Sequence, residues 1–363
     1  MNKNEHTSLA DSGVAANAHT DKSLLPNLDG IRAAACLLVV FAHTPLMTNL
    51  PILGPIGVGV FYALSGFLMS YLYSREQFNF KSVSFYCIAR FSRIAPVYWL
   101  VVSVCIIISY ATPNSEFIMR IMGTTQILRH YFFGGSVSIF WTIPAEIQYY
   151  IFFVLIWFTI AQRMIRKYLL LMLALLCSAF LLTHNYWPGL ALPHMLHFFL
   201  AGSIAGLIPR DGWIHKADLA ILPILQIIAL ALLLVPIWLY SKQIIFYAAT
   251  ELGVVFALSV YLLSIPSRWT TFVFASPLMR KIGQASFSIY LMHELVFYFG
   301  RPMLGLSITY IDARWFLLIF MAIALPMIAS RYIEIPLQKI TRNFLMQRIQ
   351  PWLTKKDNIA VMA

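Results

Sequence analysis

Charged side chains are scarce in this chain. Asp, Glu, Lys and Arg make up 11% of its 363 residues, whereas a soluble globular domain carries about 25%. Apolar residues make up 60%, which leaves too little polar surface to cover a large water-soluble domain. The composition therefore excludes a soluble fold of this size and predicts an integral membrane protein with several spanning helices.

Cysteine is also scarce. The chain has four cysteines, Cys36, Cys87, Cys105 and Cys177, which are scattered along it and mostly fall within apolar stretches. They have neither the short spacings of a metal site nor the density of a disulfide framework. The sequence therefore predicts no metal centre.

Acidic residues are the minority among the charges. The chain holds 14 Asp and Glu against 26 Lys and Arg, a net charge of +12. Such a surplus can indicate nucleic-acid binding, but Lys and Arg also hold membrane helices by their cytoplasmic ends. In a chain this apolar we favour the membrane interpretation and expect no nucleic-acid partner.

Apolar stretches long enough to cross a bilayer occur ten times. They lie near 28–47, 54–73, 96–112, 139–161, 168–183, 193–208, 219–240, 244–264, 286–304 and 314–331. With the N-terminus in the cytoplasm, 21 of the 26 Lys and Arg residues fall on the cytoplasmic side, as the positive-inside rule requires. The predicted fold is an all-α, polytopic integral membrane helix bundle of about ten transmembrane helices with both termini cytoplasmic. Three parts are predicted, a disordered cytoplasmic tail over 1–24, a transmembrane domain over 25–335 and a basic cytoplasmic tail over 336–363.

The first span, LDGIRAAACLLVVFAH (28–43), contains ionisable residues. Asp29 is expected to cap the helix, because a carboxylate can accept the free amide hydrogens of the first turn. Arg32 and His43 are eleven residues apart, so they lie on nearly the same helix face, separated by about 16 Å along the axis. Such residues usually face a bundle interior or a wet cavity. The alternative is an arginine that snorkels to the interface and a histidine that is merely packed.

The second span, GPIGVGVFYALSGFLMSYLY, carries Gly59, Ala63 and Gly66 at helical spacing. Small residues in this pattern let another helix approach closely, so we interpret them first as a packing surface. Ser65 lies beside that surface and could be a polar residue of a pore, although nothing nearby in the sequence resembles a base for a serine nucleophile.

Two arginines precede the third span in ARFSRIAPVYW (89–99). Arg90 and Arg93 are three residues apart and therefore adjacent on a helical turn, and Pro96 is expected at the entry to the span. Guanidinium groups pair with phosphate oxygens in a bidentate manner, which would suit a phosphate clamp. A positive-inside anchor explains the same two residues and is favoured by the residues alone.

The fourth and ninth spans supply further ionisable groups. Glu146, in IFWTIPAEIQYY (139–150), is expected about 10 Å below the outer surface, at the depth of His43. The two could meet, which would fix the imidazole tautomer and raise its basicity; alternatively, Glu146 pairs with Gln148 or a basic residue. In SFSIYLMHE (286–294), His293 is expected near mid-membrane, with Glu294 on a different helix face.

Together these segments resemble the membrane-bound acyltransferase-3 family. LDGIRAAACLLVVFAH, GVGVFYALSGFLM, ARFSRIAPVYW, WTIPAEIQYY and SFSIYLMH occur in the order typical of that family. Arg32 and His43 match its Arg-ten-residues-His pair, and Arg90 and Arg93 match its Arg-x-x-Arg. Glu146 matches the glutamate of its Trp-Ser-Leu-x-x-Glu pattern, although Thr142 and Ile143 replace the usual Ser and Leu.

The resemblance implies an O-acetyltransferase of the inner (cytoplasmic) membrane. It implies acetyl-CoA or another acyl-coenzyme A as co-substrate, no permanently bound cofactor, and a cell-surface polysaccharide or lipid-linked glycan as acceptor, with polysaccharide-assembly proteins as further partners. Arg32, Arg90 and Arg93 would bind the donor, and His43 would be the general base, oriented by Glu146 or His293. Whether the acyl group passes directly or through an acyl-enzyme is left open. The alternatives are a transporter of a saccharide or lipid-linked precursor, although no repeat between the halves is evident, and a scaffold without chemistry.

Overall fold

The computed structural model describes residues 25–47, 49–112, 117–208, 221–240, 242–307 and 312–362, and every regular element in these ranges is helical. The predicted N-terminal tail over 1–24 lies outside them. The α-helices are α1 (Asn27–Ala42), α2 (Leu53–Tyr73), α3 (Phe80–Ala111), α4 (Thr124–Tyr131), α5 (Thr142–Ala161), α6 (Arg166–Thr183), α7 (Leu192–Leu207), α8 (Ile221–Leu234), α9 (Pro236–Leu239), α10 (Gln243–Ala248), α11 (Glu251–Ser264), α12 (Arg268–Phe274), α13 (Pro277–Gln284), α14 (Ser286–Met303), α15 (Arg314–Ala329) and α16 (Ile335–Met362). Short 3₁₀ turns cover Pro45–Met47, Ser138–Trp141 and His184–Tyr186, and a π-helical segment covers Ser330–Glu334.

Six of the described helices are long and apolar enough to cross a membrane. They are Leu53–Tyr73, Phe80–Ala111, Ser138–Ala161, Arg166–Tyr186, Ile221–Leu239 and Arg314–Trp352. The count becomes seven if α11 and α12, which are bent by 100° relative to each other, form one span. The all-α prediction is confirmed, whereas the count of ten stays a prediction, partly because α1 and α7 have 16 residues each and about 20 are needed.

Helix α2 lies at the centre of the bundle and packs most extensively on α7, then on α1. Glycines make the α2–α7 contact close: a Cβ atom on Gly66 would collide with the carbonyl oxygen of Phe199, and one on Gly202 with that of Ala63. Only glycine allows the two backbones to approach in this way. The packing interpretation of the small residues in the second span is therefore confirmed.

The third predicted span is part of a longer helix. The Asn79 side chain accepts a hydrogen bond from the Ser82 amide at 2.8 Å, so α3 begins at Phe80 and continues to Ala111 without interruption. Pro96 lies inside this helix and not at its entry. Arg90 and Arg93 consequently lie on one rigid helix, adjacent to each other as the sequence predicts.

The eighth and tenth predicted spans also differ from the structure. The eighth is broken, because α10 ends at Ala248 and α11 begins at Glu251. The tenth does not end near 331, because α15, the π-helical segment and α16 follow one another without a break. Residues 336–362, predicted as a basic tail, are therefore helical.

Both ends of the first helix differ from the prediction. Pro26 takes the N-cap position and makes no side-chain capping bond, so Asp29 lies in the first turn and does not cap the helix. At the other end α1 stops at Ala42, and His43 is the C-cap residue. His43 therefore lies at a helix end, where its side chain is 36% exposed, and not within a continuous span that reaches residue 47.

Candidate active site

The donor-binding residues predicted from the sequence line a single cavity of about 700 Å³, measured with its open mouth. Arg32 reaches it from α1, Arg90 and Arg93 from α3, and Glu146 from α5. The other walls are mainly apolar and aromatic, and comprise Val58, Phe61, Tyr62, Leu64, Ser65, Leu68, Met69, Ile94, Thr142, Ile143, Tyr150, Ser286, Phe287 and Tyr290. Three cations in a partly apolar cavity could hold a phosphorylated ligand with an apolar arm.

Arg90 is held by aromatic rings. Its guanidinium carbon lies 5.4 Å from the ring centre of Tyr73, 5.9 Å from that of Tyr86 and 5.8 Å from that of Tyr150. One of its nitrogens donates to the Tyr73 hydroxyl at 3.1 Å. Among the described residues it forms no ion pair, and its buried Nε has no hydrogen-bond partner. The charge is thus oriented by cation–π contacts but is not neutralised by a carboxylate, which favours an anionic ligand.

Arg32 and Arg93 differ from Arg90 in their neighbours. Arg32 lies 3.6 Å from Asp29, one turn earlier on α1, and Asp29 in turn accepts a hydrogen bond from Gln284 at 3.2 Å. Arg93 is half-buried at the cavity wall, and its backbone oxygen accepts a hydrogen bond from Gln338 on α16 at 3.3 Å. The C-terminal helix therefore contacts the segment that carries the two arginines.

His43, His293 and Glu294 form a second cluster. His43 Nε2 lies 3.1 Å from Glu294 Oε1, and the two histidine rings are 5.0 Å apart, edge to face. Each Nδ1 contacts a backbone carbonyl oxygen at 2.8 Å, of Val39 for His43 and of Tyr290 for His293. Since a carbonyl can only accept, each Nδ1 donates, and each Nε2 is the nitrogen available for proton transfer. Glu294 is 8% exposed and His293 is fully buried.

His43 contacts Glu294. The sequence had suggested Glu146 as its partner, because the two residues were expected at the same depth. Glu146 Oε1 instead accepts hydrogen bonds from Ser65 Oγ at 3.1 Å and from the Tyr150 hydroxyl at 2.5 Å. The alternative pairing of Glu146 with Gln148 is also absent among the described contacts, since Gln148 bonds to the backbone of 190 and 192. Glu146 belongs to the arginine-lined cavity, and Glu294, which was expected on a different helix face from His293, contacts His43.

Tyr290 lies between the cavity and the histidine cluster. It lines the cavity, and its ring centre is 6.1 Å from that of His293. Its hydroxyl donates to the Ile139 carbonyl at 3.0 Å and contacts the Thr142 hydroxyl at 3.0 Å. None of the three clustered residues is part of the cavity lining. The two halves of the site therefore meet at this tyrosine.

Three residues of the cluster offer atoms of the kind that bind divalent cations. One ligand atom each of His43, His293 and Glu294 lies within 4.8 Å of the others, a donor set that zinc accepts. The sequence predicts no metal here, and the alternative to a bound cation is a direct contact between His43 and Glu294, whose atoms lie 3.1 Å apart. Chelation distinguishes the two cases.

Comparison with known proteins assigns the chain to a family. A family model described as an acyltransferase domain matches residues 25–331. The chain belongs to the acyltransferase-3 family. The matched region contains every residue of the cavity lining and of the histidine cluster.

Curated relatives of this acyltransferase-3 chain are named as O-acetyltransferases. It is 23% identical over 400 residues to the peptidoglycan O-acetyltransferase OatA of Listeria monocytogenes, an alignment that covers 94% of this chain and 62% of the relative. It is 25% identical over 367 residues to the putative O-acetyltransferase SACOL0978 of Staphylococcus aureus, with 87% of this chain and 57% of the relative covered. The chain thus spans about 60% of the length of these relatives. No solved structure matches it.

Proposed function

We propose that this acyltransferase-3 chain is an O-acetyltransferase that moves an acetyl or similar acyl group from acyl-coenzyme A to a hydroxyl group of a cell-surface polysaccharide or its lipid-linked precursor. The main support for this proposal is the cavity that Arg32, Arg90 and Arg93 line. Beside it lie His43 and Glu294, which contact each other. The named activities of the two relatives favour acyl transfer to oxygen, and the peptidoglycan acceptor in one name favours a glycan.

The donor would enter from the cytoplasm. Phosphate groups of acetyl-CoA would bind Arg90 and Arg93, with Arg32 further along the path of the pantetheine arm. The positive-inside asymmetry supports this direction, since it places Arg90 and Arg93 on the cytoplasmic side of an inner-membrane protein. This topology includes ten spans and two cytoplasmic termini. Acetyl-CoA is a co-substrate in this scheme and not a resident cofactor.

The acceptor hydroxyl would meet the histidine cluster from the exposed edge of His43. The contact between His43 Nε2 and Glu294 Oε1 pairs two atoms that can each accept a proton. Once deprotonated, the pair can take the proton of the hydroxyl as it attacks the thioester carbonyl. The thiolate of coenzyme A leaves and accepts that proton. His293 Nε2, which has no hydrogen-bond partner among the described residues, could orient the hydroxyl.

Thioester turnover tests this proposal against a transporter. The purified protein in lipid nanodiscs should release coenzyme A from acetyl-CoA when a glycan acceptor is supplied, and membranes that lack the protein should not. Mass analysis of surface glycans from cells with and without the protein should show the acyl group in the first sample alone. Loss of the glycan from the surface of cells without the protein, with no change in the acylation of the glycan itself, would favour a transporter. Polysaccharide-assembly proteins are the expected partners in cells.

A further inference from the structure

Glu294 uses its two carboxylate oxygens for two different partners. Oε1 faces His43 Nε2 at 3.1 Å, and Oε2 accepts a hydrogen bond from Ser138 Oγ at 2.6 Å. The terminal torsion of a glutamate is broad and only weakly restrained by the side chain itself. In this buried carboxylate the Ser138 hydroxyl therefore decides which way the second oxygen points.

Ser138 has an unusual backbone conformation. Its φ is +48°, one of only two positive values at non-glycine positions in the described residues. A serine in the left-handed region is strained, and such strain persists only where surrounding contacts maintain it. Ser138 is the first residue of the 3₁₀ turn Ser138–Trp141, which leads directly into α5.

Two hydrogen bonds fasten this turn to α14. Ser138 donates to Glu294, and the carbonyl oxygen of the next residue, Ile139, accepts from the Tyr290 hydroxyl at 3.0 Å. Tyr290 and Glu294 are four residues apart, so they project from the same face of α14. The turn is thus fixed at two points one helical turn apart, with the strained residue at the carboxylate.

From this geometry we propose that Ser138 is a positioning residue of the acyl transfer: it holds Glu294 Oε2 so that Oε1 faces His43 Nε2. This inference rests on the proposed function. Ser138 is not a nucleophile of the serine-hydrolase type, because there the histidine lies between serine and carboxylate. Here the carboxylate lies between serine and histidine, so the serine proton points away from the base.

Ser138 could act through its hydroxyl, which positions Glu294, or through its left-handed backbone, which shapes the turn. Glycine and alanine substitutions separate these two roles. Both remove the hydroxyl, but glycine adopts a φ of +48° readily whereas alanine does not. If positioning by the hydroxyl matters, Ser138→Gly and Ser138→Ala should both lower kcat for acyl transfer by about 10- to 100-fold, the range expected for losing a hydrogen bond to a charged group. The KM for acetyl-CoA should stay unchanged, because Ser138 is not part of the arginine-lined cavity.

An asparagine at position 138 should restore activity that glycine loses. Asn tolerates the left-handed conformation, and its amide group can donate to a carboxylate, so Ser138→Asn should recover kcat relative to Ser138→Gly. The matched control is Ser330→Ala, since Ser330 Oγ donates at the same 2.6 Å to another buried carboxylate, that of Glu334. We expect this control to retain the kcat of the unmodified protein.

The measurement is kcat and KM in nanodiscs, at equal protein and with coenzyme A binding checked for each variant. The proposal is overturned if Ser138→Gly keeps the kcat of the unmodified protein. If only Ser138→Ala is impaired, the proposal also fails, because Ser138 would then serve only to maintain the left-handed backbone of the turn. An unmodified protein that transfers no acyl group would instead refute the proposed function. If that protein is active, His43→Gln is inactive and Ser138→Gly is normal, only the positioning role fails.

Discussion

Glu294 Oε1 lies 3.1 Å from His43 Nε2, although the two residues come from the last third and the first helix of the chain. The contact joins α14 to the end of α1 and defines the base of the candidate site. It leads to the first two predictions, which concern the histidine and the choice of carboxylate.

Replacing His43 with glutamine should abolish acyl transfer while leaving donor binding intact. Glutamine keeps hydrogen bonding but cannot accept a proton near neutral pH, so the rate should fall by about 10²–10⁴-fold. The measurement is glycan acylation at matched membrane abundance. His194→Gln is the control, because His194 is half-buried and its side-chain hydrogen bond among the described residues is to the backbone oxygen of His184, away from the cavity and the cluster. Near-normal acylation by His43→Gln would rule out the general-base role.

The two carboxylates should behave differently when neutralised. Glu294→Gln should lower kcat with little change in the KM for acetyl-CoA, because Glu294 contacts His43 and lies outside the cavity lining. Glu146→Gln should act mainly on donor binding, because Glu146 shares the cavity with the three arginines. Steady-state kinetics on both variants would reveal the split. The reverse pattern would restore the pairing of His43 with Glu146 that depth suggests.

Substituting both Arg90 and Arg93 with glutamine should weaken coenzyme A binding. The loss of two charge-assisted contacts to phosphate should cost about 2–5 kcal/mol of binding free energy, which calorimetry on the detergent-solubilised protein would detect. The double substitution Arg163→Gln and Arg166→Gln is the matched control, since these exposed residues have the same spacing but do not line the cavity. Equal affinities of the two double variants would leave Arg90 and Arg93 as membrane anchors.

Membrane topology is open to a direct test. The distribution of Lys and Arg predicts that both termini are cytoplasmic, so a reporter that works only after export should be inactive when fused at either end. A reporter active only in the cytoplasm should work at both. Export-dependent activity at the C-terminus alone would require an odd number of spans.

Metal removal should leave the enzyme active. If a proton joins His43 and Glu294, dialysis against a strong chelator should not change the acyl-transfer rate, and elemental analysis of the active protein should show no stoichiometric zinc. Activity that is lost on chelation and regained with Zn²⁺ would show instead that His43, His293 and Glu294 bind a cation.

The sequence predicted which segments form the arginine-lined cavity better than it predicted the base. Arg32 and Glu146 reach the cavity from α1 and α5, which periodicity alone does not predict, whereas Arg90 and Arg93 are adjacent on one turn because helical periodicity requires it. Hydropathy also located four of the six long apolar stretches in the described residues to within a few residues. These features depend on local chain geometry, which a sequence pattern records.

The partner of His43 could not be derived in the same way. Depth along a helix axis places two residues on the same level but gives no information about which helices are neighbours, and Glu146 proved to face the cavity. Glu294 was expected on a different helix face from His293 and was given no role, yet both reach His43, which lies beyond the end of α1. Ser138 had no sequence signal, because a strained turn residue is recognised only from its backbone angle and its contacts.

The length of the last helical stretch has a mechanical consequence. Arg314–Trp352 contains 39 residues, which at about 1.5 Å per residue gives an axis of roughly 58 Å, nearly twice the hydrocarbon thickness of about 30 Å. No tilt observed for membrane helices, at most about 40°, brings that length inside the bilayer. Part of the helix must therefore extend beyond the hydrocarbon core as a stalk. Because Gln338 on this stalk bonds to the backbone of Arg93, a force applied to the stalk outside the membrane would be transmitted to the mouth of the cavity.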